Sequence, residues 1–249
     1  MSFLSLHDVD LSLGGTRILD AISLHVDKGE FVSILGPSGA GKSTIFRLLT
    51  GAVPLQGGTI TCAGQPLHGQ EASFAFMPQR DALLPWRRII DNLTLGLEVQ
   101  GIPRKDARAR VTPLLADFGL EAFSTHYPAQ LSGGMRQRAA LLRTVVQGRA
   151  VQLLDEPFGA LDALTRLQMQ AWFEDRWRTS RWTTLLVTHD VREAVALSDR
   201  IYVLSPRPAR VIAEMSVPLP RPRLGRPPCA AAHAIEAQLL ETLLQQTGN

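Results

Sequence analysis

Apolar positions along the chain fall into two periods. Short alternating or continuous apolar runs at residues 4–13, 18–26, 31–35, 58–63, 74–77, 151–154, 184–188 and 201–204 predict strands. Helical spacing at 45–49, 89–99, 104–118, 133–146, 163–178 and 191–197 predicts helices between and after them. Gly14-Gly15 separates the first two runs as a turn, which predicts an antiparallel N-terminal β subdomain. Pro113 lies inside 104–118, where it should kink or split the helix. Strands that then alternate with helices predict an α/β chain with a mostly parallel, covered core sheet and a helical insertion at about 81–131.

The end of the chain breaks both periods. Residues 218–228 (Pro-Leu-Pro-Arg-Pro-Arg-Leu-Gly-Arg-Pro-Pro) cannot continue a helix or a sheet and read as an extended linker. An amphipathic helix follows at 231–246, with Ile235, Leu239, Leu240, Leu243 and Leu244 on one side. The expected organisation is therefore a body over 1–216, a linker over 217–230 and a C-terminal helix over 231–249. The helix can pack on its own body, on a second copy or on a regulator.

Composition narrows the class. A length of 249 residues suits one large α/β domain, alone or with a subdomain, and 45% apolar with 20% charged residues is ordinary for a globular protein. Of the 26 basic residues only three are lysines, but the arginines are scattered, 23 acidic residues match them, and the net charge is +3. They read as solvated faces, with no nucleic-acid partner expected. Cys62 and Cys229 lie far apart without metal-type spacing and read as free thiols of a reducing compartment. No basic-then-apolar leader opens the chain, and no apolar run approaches the ~18 residues of a membrane span. A cytoplasmic, non-spanning protein is expected.

The chemistry begins after the strand at 31–35. Gly36-Pro37-Ser38-Gly39-Ala40-Gly41-Lys42-Ser43-Thr44 stands between that strand and a helix, the context in which G-x-x-x-x-G-K-[ST] is a phosphate-binding loop. Glycines allow consecutive N–H groups to point inward, and the helix N-terminus adds positive potential. Lys42 can reach the β- and γ-phosphates, and the Ser43 hydroxyl can ligate Mg²⁺. The chain is expected to bind a nucleoside triphosphate.

The apolar run at 151–154 ends in Asp155-Glu156-Pro157. Two acids closing a buried strand call for a cation: Asp155 as a Mg²⁺ ligand, direct or through water, and Glu156 as general base for an attacking water. A helix cap or turn acid is the bland alternative. In Leu131-Ser132-Gly133-Gly134-Met135-Arg136-Gln137-Arg138, Ser132 is a natural N-cap and the glycines leave backbone N–H groups open, a second anion site.

With these motifs in view, residues 3–215 resemble the nucleotide-binding subunit of ATP-binding-cassette transporters, a P-loop NTPase cassette. Leu131 to Arg138 is similar to that family's signature sequence, which implies that Ser132, Gly133 and Gly134 touch the ATP held by a second copy. Gln79 matches the Q-loop glutamine, implying a sensor of Mg²⁺ and the γ-phosphate. Gly159-Ala160-Leu161-Asp162 resembles the D-loop at the dimer seam, and His189 the switch histidine on the γ-phosphate. Taken alone, Gln79 reads equally as a loop polar group and His189 as a helix cap, with Asp190 beside it able to do the same. One position departs from the pattern: Leu13 stands where the family places an aromatic against adenine, which implies apolar contact without a π-face and about 0.5–1.5 kcal/mol less stacking.

The resemblance implies a head-to-tail dimer with two ATP molecules at its seam and in-line attack of water on the γ-phosphate. Residues 79–86 and 91–98, with Pro157-Phe158-Gly159-Ala160-Leu161-Asp162, are similar to the nitrate/sulfonate/taurine group of bacterial importers, a look shared by thiamine-precursor importers. The expected partners are a second ATPase subunit, membrane permease subunits and, indirectly, a solute-binding protein. The expected location is the cytoplasmic face of the inner membrane. The alternatives are the ATPase of an exporter, or a soluble cassette ATPase acting on nucleic acid or the ribosome. Leu83, Leu84 and Trp86 read as an exposed groove for a permease helix, or as packing within the helical subdomain.

Overall fold

The structure is a computed structural model that describes residues 2–67, 74–225, 227 and 229–245. Arg226 and Pro228 of the proline-rich run, and the end of the expected C-terminal helix from residue 246, lie outside the described residues. The chain forms two compact units, one from Met1–Ala72 and Phe173–Asn249, the other from Ser73–Trp172.

In the first unit, β1 (Ser2–Leu13) and β2 (Thr16–Asp27) form an antiparallel hairpin. Gly14 and Gly15 both take positive φ, 55° and 79°, as the tightest two-residue hairpin turns demand. β4 (Gly57–Cys62) lies on the other side of β1, and β5 (Gln65–Pro66) completes the order β2-β1-β4-β5. A second layer centres on β3 (Phe31–Leu35), every residue of which is buried. β8 (Thr183–Thr188) and β9 (Arg200–Leu204) flank it in parallel, which is why all three read as near-continuous apolar runs. Beyond them β10 (Val211–Ser216) pairs antiparallel with β9, a strand that the apolar pattern does not announce.

The helices of this unit cover that layer. α1 (Lys42–Leu49) follows β3, and α7 (Val191–Leu197) follows β8. The C-terminal helix α8 (Ala230–Gln245) packs on its own unit: Ala232 and Leu239 join Leu35, Val195, Val203 and Val217 in one apolar cluster, with Ile235 and Leu243 against it. Those positions recur every three or four residues and share a stripe, whereas Leu240 and Leu244 lie about 100° around the helix and are exposed.

Residues 217–225 form neither helix nor strand, yet they are firmly held. Both oxygens of buried Glu174 accept the Arg223 backbone N–H (3.0 and 3.1 Å), and one also accepts that of Leu224 (3.1 Å). The Arg223 guanidinium donates to the carbonyls of Val195, Ser198, Val217 and Leu219. Arg221 pairs with Glu174 (3.2 Å) and Asp199 (2.8 Å) and lies 4.3 Å over the Trp177 ring.

In the second unit, β6 (Phe74–Met77) and β7 (Val151–Asp155) are parallel neighbours. The helical stretch expected at 89–99 is two helices, α2 (Ile89–Leu93) and α3 (Leu95–Val99), meeting at Thr94. α4 (Arg104–Val111) stops short of Pro113, which sits in a 3-10 turn, Thr112–Leu114, because it has no N–H for an α-helical bond. α5 (Gly133–Val145) is the long helix of this unit, and α6 (Ala163–Ser180) begins in it.

Candidate nucleotide site

Register decides where the site residues emerge. Leu35 pairs with Thr188 and Val203 across the parallel strands of the first unit, so the loop after β3, His189 after β8 and the turn after β9 leave by one edge. That carboxyl edge is where open α/β sheets bind ligands. In the second unit Met77 pairs with Leu154, so Gln79 and the Asp155-Glu156 pair leave the same end of β6 and β7.

The loop has the geometry its motif requires. Gly39 and Gly41 take φ of 76° and 112°, open only to glycine at little cost. A Cβ at Gly41 would lie 3.1 Å from both Ile18 and Leu19 side chains, so the loop is moulded against β2. No side chain caps the N-terminus of α1 at Gly41, so its first N–H groups face the loop. Lys42 is buried, and its ammonium donates to the carbonyl oxygens of Gly36 (2.7 Å) and Pro37 (2.8 Å). Ser43 and Thr44 are half-buried at the helix start, and Ser38 is exposed. Uncapped N–H groups, a lysine and a hydroxyl suit a polyphosphate.

Leu13 ends β1 half-buried, and His189 is exposed just past β8. The cap of α7 is Asp190, whose Oδ1 accepts the N–H of Arg192 (2.9 Å) and of Glu193 (3.2 Å). His189 therefore does not serve as the cap.

In the second unit, Asp155 is buried at the end of β7, and Glu156 turns out of the strand with φ 49°. A left-handed carboxylate residue costs about 1–3 kcal/mol and is found where surroundings over-determine the backbone. Here Gln137 supplies the constraint: its side-chain N–H group donates to the carbonyls of Glu156 (3.1 Å) and Pro157 (3.0 Å). Gln79 Nε2 approaches Glu156 Oε2 at 3.4 Å. The sequence placed Gln137 in a motif but gave it no task, and its burial is the signal that identifies one.

Ser132 caps α5 as expected of its type, its hydroxyl accepting the Met135 N–H at 3.3 Å. Ser132 and Gly133 are exposed, with Gly134 half-buried against the turn that carries Ala160. Asp162 accepts the Thr165 N–H at 3.0 Å, and backbone hydrogen bonds from this turn hold its carboxyl below the usual range. The segment after Gln79 is clasped from α5: Arg136 Nε donates to Asp81 (3.0 Å), and Arg143 to the carbonyls of Asp81 and Ala82.

The expected exposed groove is narrower than its three residues suggest. Leu83 is buried and Leu84 half-buried, because buried Asn92 ties the backbone of Leu84, Arg87 and Arg88 inward. Trp86 alone is fully displayed, at 71% exposure, beside a pocket of about 210 Å³ shared with Arg87, Arg88, Asp91, Arg104 and Tyr127.

Residues 19–159 match the ABC transporter family model. The chain is 43% identical to the aliphatic sulfonates import ATP-binding protein of Albidiferax ferrireducens, across 98% of this chain and 84% of that protein. It is 42% identical to the formylaminopyrimidine import ATP-binding protein of Halalkalibacterium halodurans, across 81% and 78%. Among solved structures, a dimeric ATP-binding cassette in a post-hydrolysis state with ADP and Pi superposes with a TM-score of 0.78 at 26% identity, covering 86% of this chain and 98% of that one.

Proposed function

As the chain belongs to the ABC transporter family, we propose that it is the ATPase subunit of an importer for a small organic solute, of the sulfonate or pyrimidine thiamine-precursor class. Similarity along nearly the whole chain to proteins named as import ATP-binding proteins carries this reading. The phosphate loop, with its uncapped helix start and buried lysine, supports it independently.

ATP is the substrate. The loop from Gly36 to Thr44 binds its phosphates, chiefly through N–H groups at the start of α1, and Lys42 exchanges the carbonyls of Gly36 and Pro37 for phosphate oxygens, bringing its charge to the transferred group. Ser43, Gln79 and Asp155 are the oxygen donors we assign to Mg²⁺, which when bound would neutralise charge on the phosphates. Glu156 accepts the proton of the attacking water, with Gln79 fixing its carboxylate, and His189 contacts the γ-phosphate. Leu13 offers the base an apolar surface. Ser132, Gly133 and Gly134, at the exposed start of α5, and Asp162 serve the nucleotide of a second copy, a reading in keeping with a similar cassette described as dimeric.

No helix among the described residues is long and apolar enough to cross a membrane. The importer reading assigns the membrane step to permease subunits. Trp86 and its pocket are the surface we assign to them, at the cytoplasmic face of the membrane. A solute-binding protein would act through the permease.

The test is turnover of the purified chain and of Glu156→Gln, with size-exclusion chromatography in ATP and Mg²⁺. Glu156→Gln should lose about 10²–10⁴-fold in turnover, the typical share of a general base, and accumulate as an ATP-bound dimer. Near-normal turnover in the variant would remove Glu156 from that role.

A further inference from the structure

The turn after β9 carries Ser205-Pro206-Arg207-Pro208, which no motif of the nucleotide site includes. Arg207 is exposed, yet its Nη2 donates to the Gly39 carbonyl of the phosphate loop at 2.6 Å. We propose that Arg207 is a positioning residue for the nucleotide: it clasps the outer turn of the phosphate loop so that the loop's N–H groups stay directed at the phosphates. This rests on the ATPase reading above and names a residue that sets substrate affinity at that same site.

The peptide plane supplies the mechanism. The Gly39 carbonyl and the Ala40 N–H belong to one planar trans unit, so fixing one fixes the other on the opposite side. The carbonyl is held by Arg207, and on the other side of the same plane the Ala40 N–H donates to the Pro37 carbonyl at 3.2 Å, so the clasp fixes the shape of the turn from which the N–H groups of Gly41, Lys42 and Ser43 are presented. Gly39 has φ 76° and almost no steric restoring force of its own, so an external contact is what selects its orientation. Lys42 holds the neighbouring carbonyls of Gly36 and Pro37, but it must release them to engage a phosphate. Arg207 then remains as the cation gripping the loop backbone.

The clasp is itself mounted rigidly. Ser205 N–H donates to the Arg210 carbonyl and Arg210 N–H to the Ser205 hydroxyl, each at 3.0 Å. Ala209 N–H donates to the Ile18 carbonyl (2.8 Å), and Asp20 N–H donates to the Ala209 carbonyl (2.9 Å). Ile18 is the residue against which Gly41 is moulded, so the turn and the loop share a foundation on β2. Two prolines flank Arg207 and stiffen the turn.

The experiment is calorimetric titration of the full chain, wild type and Arg207→Ala, Arg207→Met and Arg207→Lys, with ADP and with GDP in Mg²⁺. Losing a charge-assisted hydrogen bond that preorganises the loop should weaken ADP about tenfold in Arg207→Ala and Arg207→Met. One carbonyl needs one donor and not a fork, so Arg207→Lys should recover to within about twofold. The ADP:GDP ratio should stay the same in all four proteins, because the grip is on phosphate. Wild-type affinity in Arg207→Ala, a full loss in Arg207→Lys, or a shifted ADP:GDP ratio would each overturn the clasp while leaving the ATPase reading intact. Failure of the wild type to bind ADP would overturn both.

Discussion

Two places in the first unit use one device, a cation donating to backbone carbonyls, with opposite results. At the phosphate loop, buried Lys42 holds the carbonyls of Gly36 and Pro37, and Arg207, which stands in solvent, holds that of Gly39. In the proline-arginine segment, Arg221 and Arg223 hold five carbonyls, but their side chains are only 11% and 7% exposed; Arg221 is paired with Glu174, itself 2% exposed, and Arg223 with Asp199 at 3.8 Å. Burial, with repulsion from Arg221, pushes the Arg223 guanidinium down to about 10, still charged at neutral pH. In the anchor the cations hold the carbonyls of a segment outside the nucleotide site; at the phosphate loop buried Lys42 holds carbonyls that it releases to engage a phosphate, while exposed Arg207 keeps its grip. The difference separates a stabilising anchor from a binding site.

Arg223→Met should produce the largest change. It strands four carbonyls that the guanidinium satisfied and removes charge facing Glu174, and breaking such a buried network costs about 3–5 kcal/mol. Urea unfolding should show that loss, with ADP affinity of the folded fraction unchanged. A stable Arg223→Met protein with impaired nucleotide binding would reverse the comparison.

Lys42→Met should do the opposite. Its side chain satisfies two carbonyls where Arg223 satisfies four, so unfolding should shift by about 1–3 kcal/mol, less than in Arg223→Met. Turnover should fall at least about a hundredfold, because charge on the transferred phosphoryl group loses its partner. A denaturation curve and a phosphate-release assay on the same preparation decide it.

The contrast also marks what could be read from sequence. Glycines, lysine and adjacent acids announced the phosphate loop and the Asp155-Glu156 pair because their chemistry is local, and parallel register then carried each to a strand's carboxyl end. The α/β class was legible for the same reason, through period. Long-range partners were not legible. Residues 218–228 read only as an extended linker because nothing local says that Glu174, far back on α6, will take Arg221. β10 was invisible because an edge strand with partly exposed residues lacks alternation. Leu83 looked free because Asn92 could not be known to fold its loop inward. The left-handed backbone of Glu156 and the clasp from Arg207 also depend on contacts that only the fold creates.

An intermediate case sharpens the comparison with the smallest effect. Asp91 on α2 accepts from Arg104 and Arg108 of α4, each at 2.6 Å, and is 14% exposed while the arginines are 58% and 44% exposed. Burial alone would raise its carboxyl, but the hydrogen bonds from Arg108 and Arg104 outweigh it and hold the group below its ordinary 3.8. The unfolded chain then binds the proton more readily, so the stabilisation is complete above 3.8 and is lost as pH falls through the lower folded value. Solvent around both arginines keeps the effect under about 1 kcal/mol. Urea midpoints from neutral pH down into the acid range should show Asp91→Asn less stable at neutrality and converging with wild type at the acid end. Parallel curves would mean that half-exposed arginines add nothing, leaving enclosure rather than charge count as what turns a cation into an anchor.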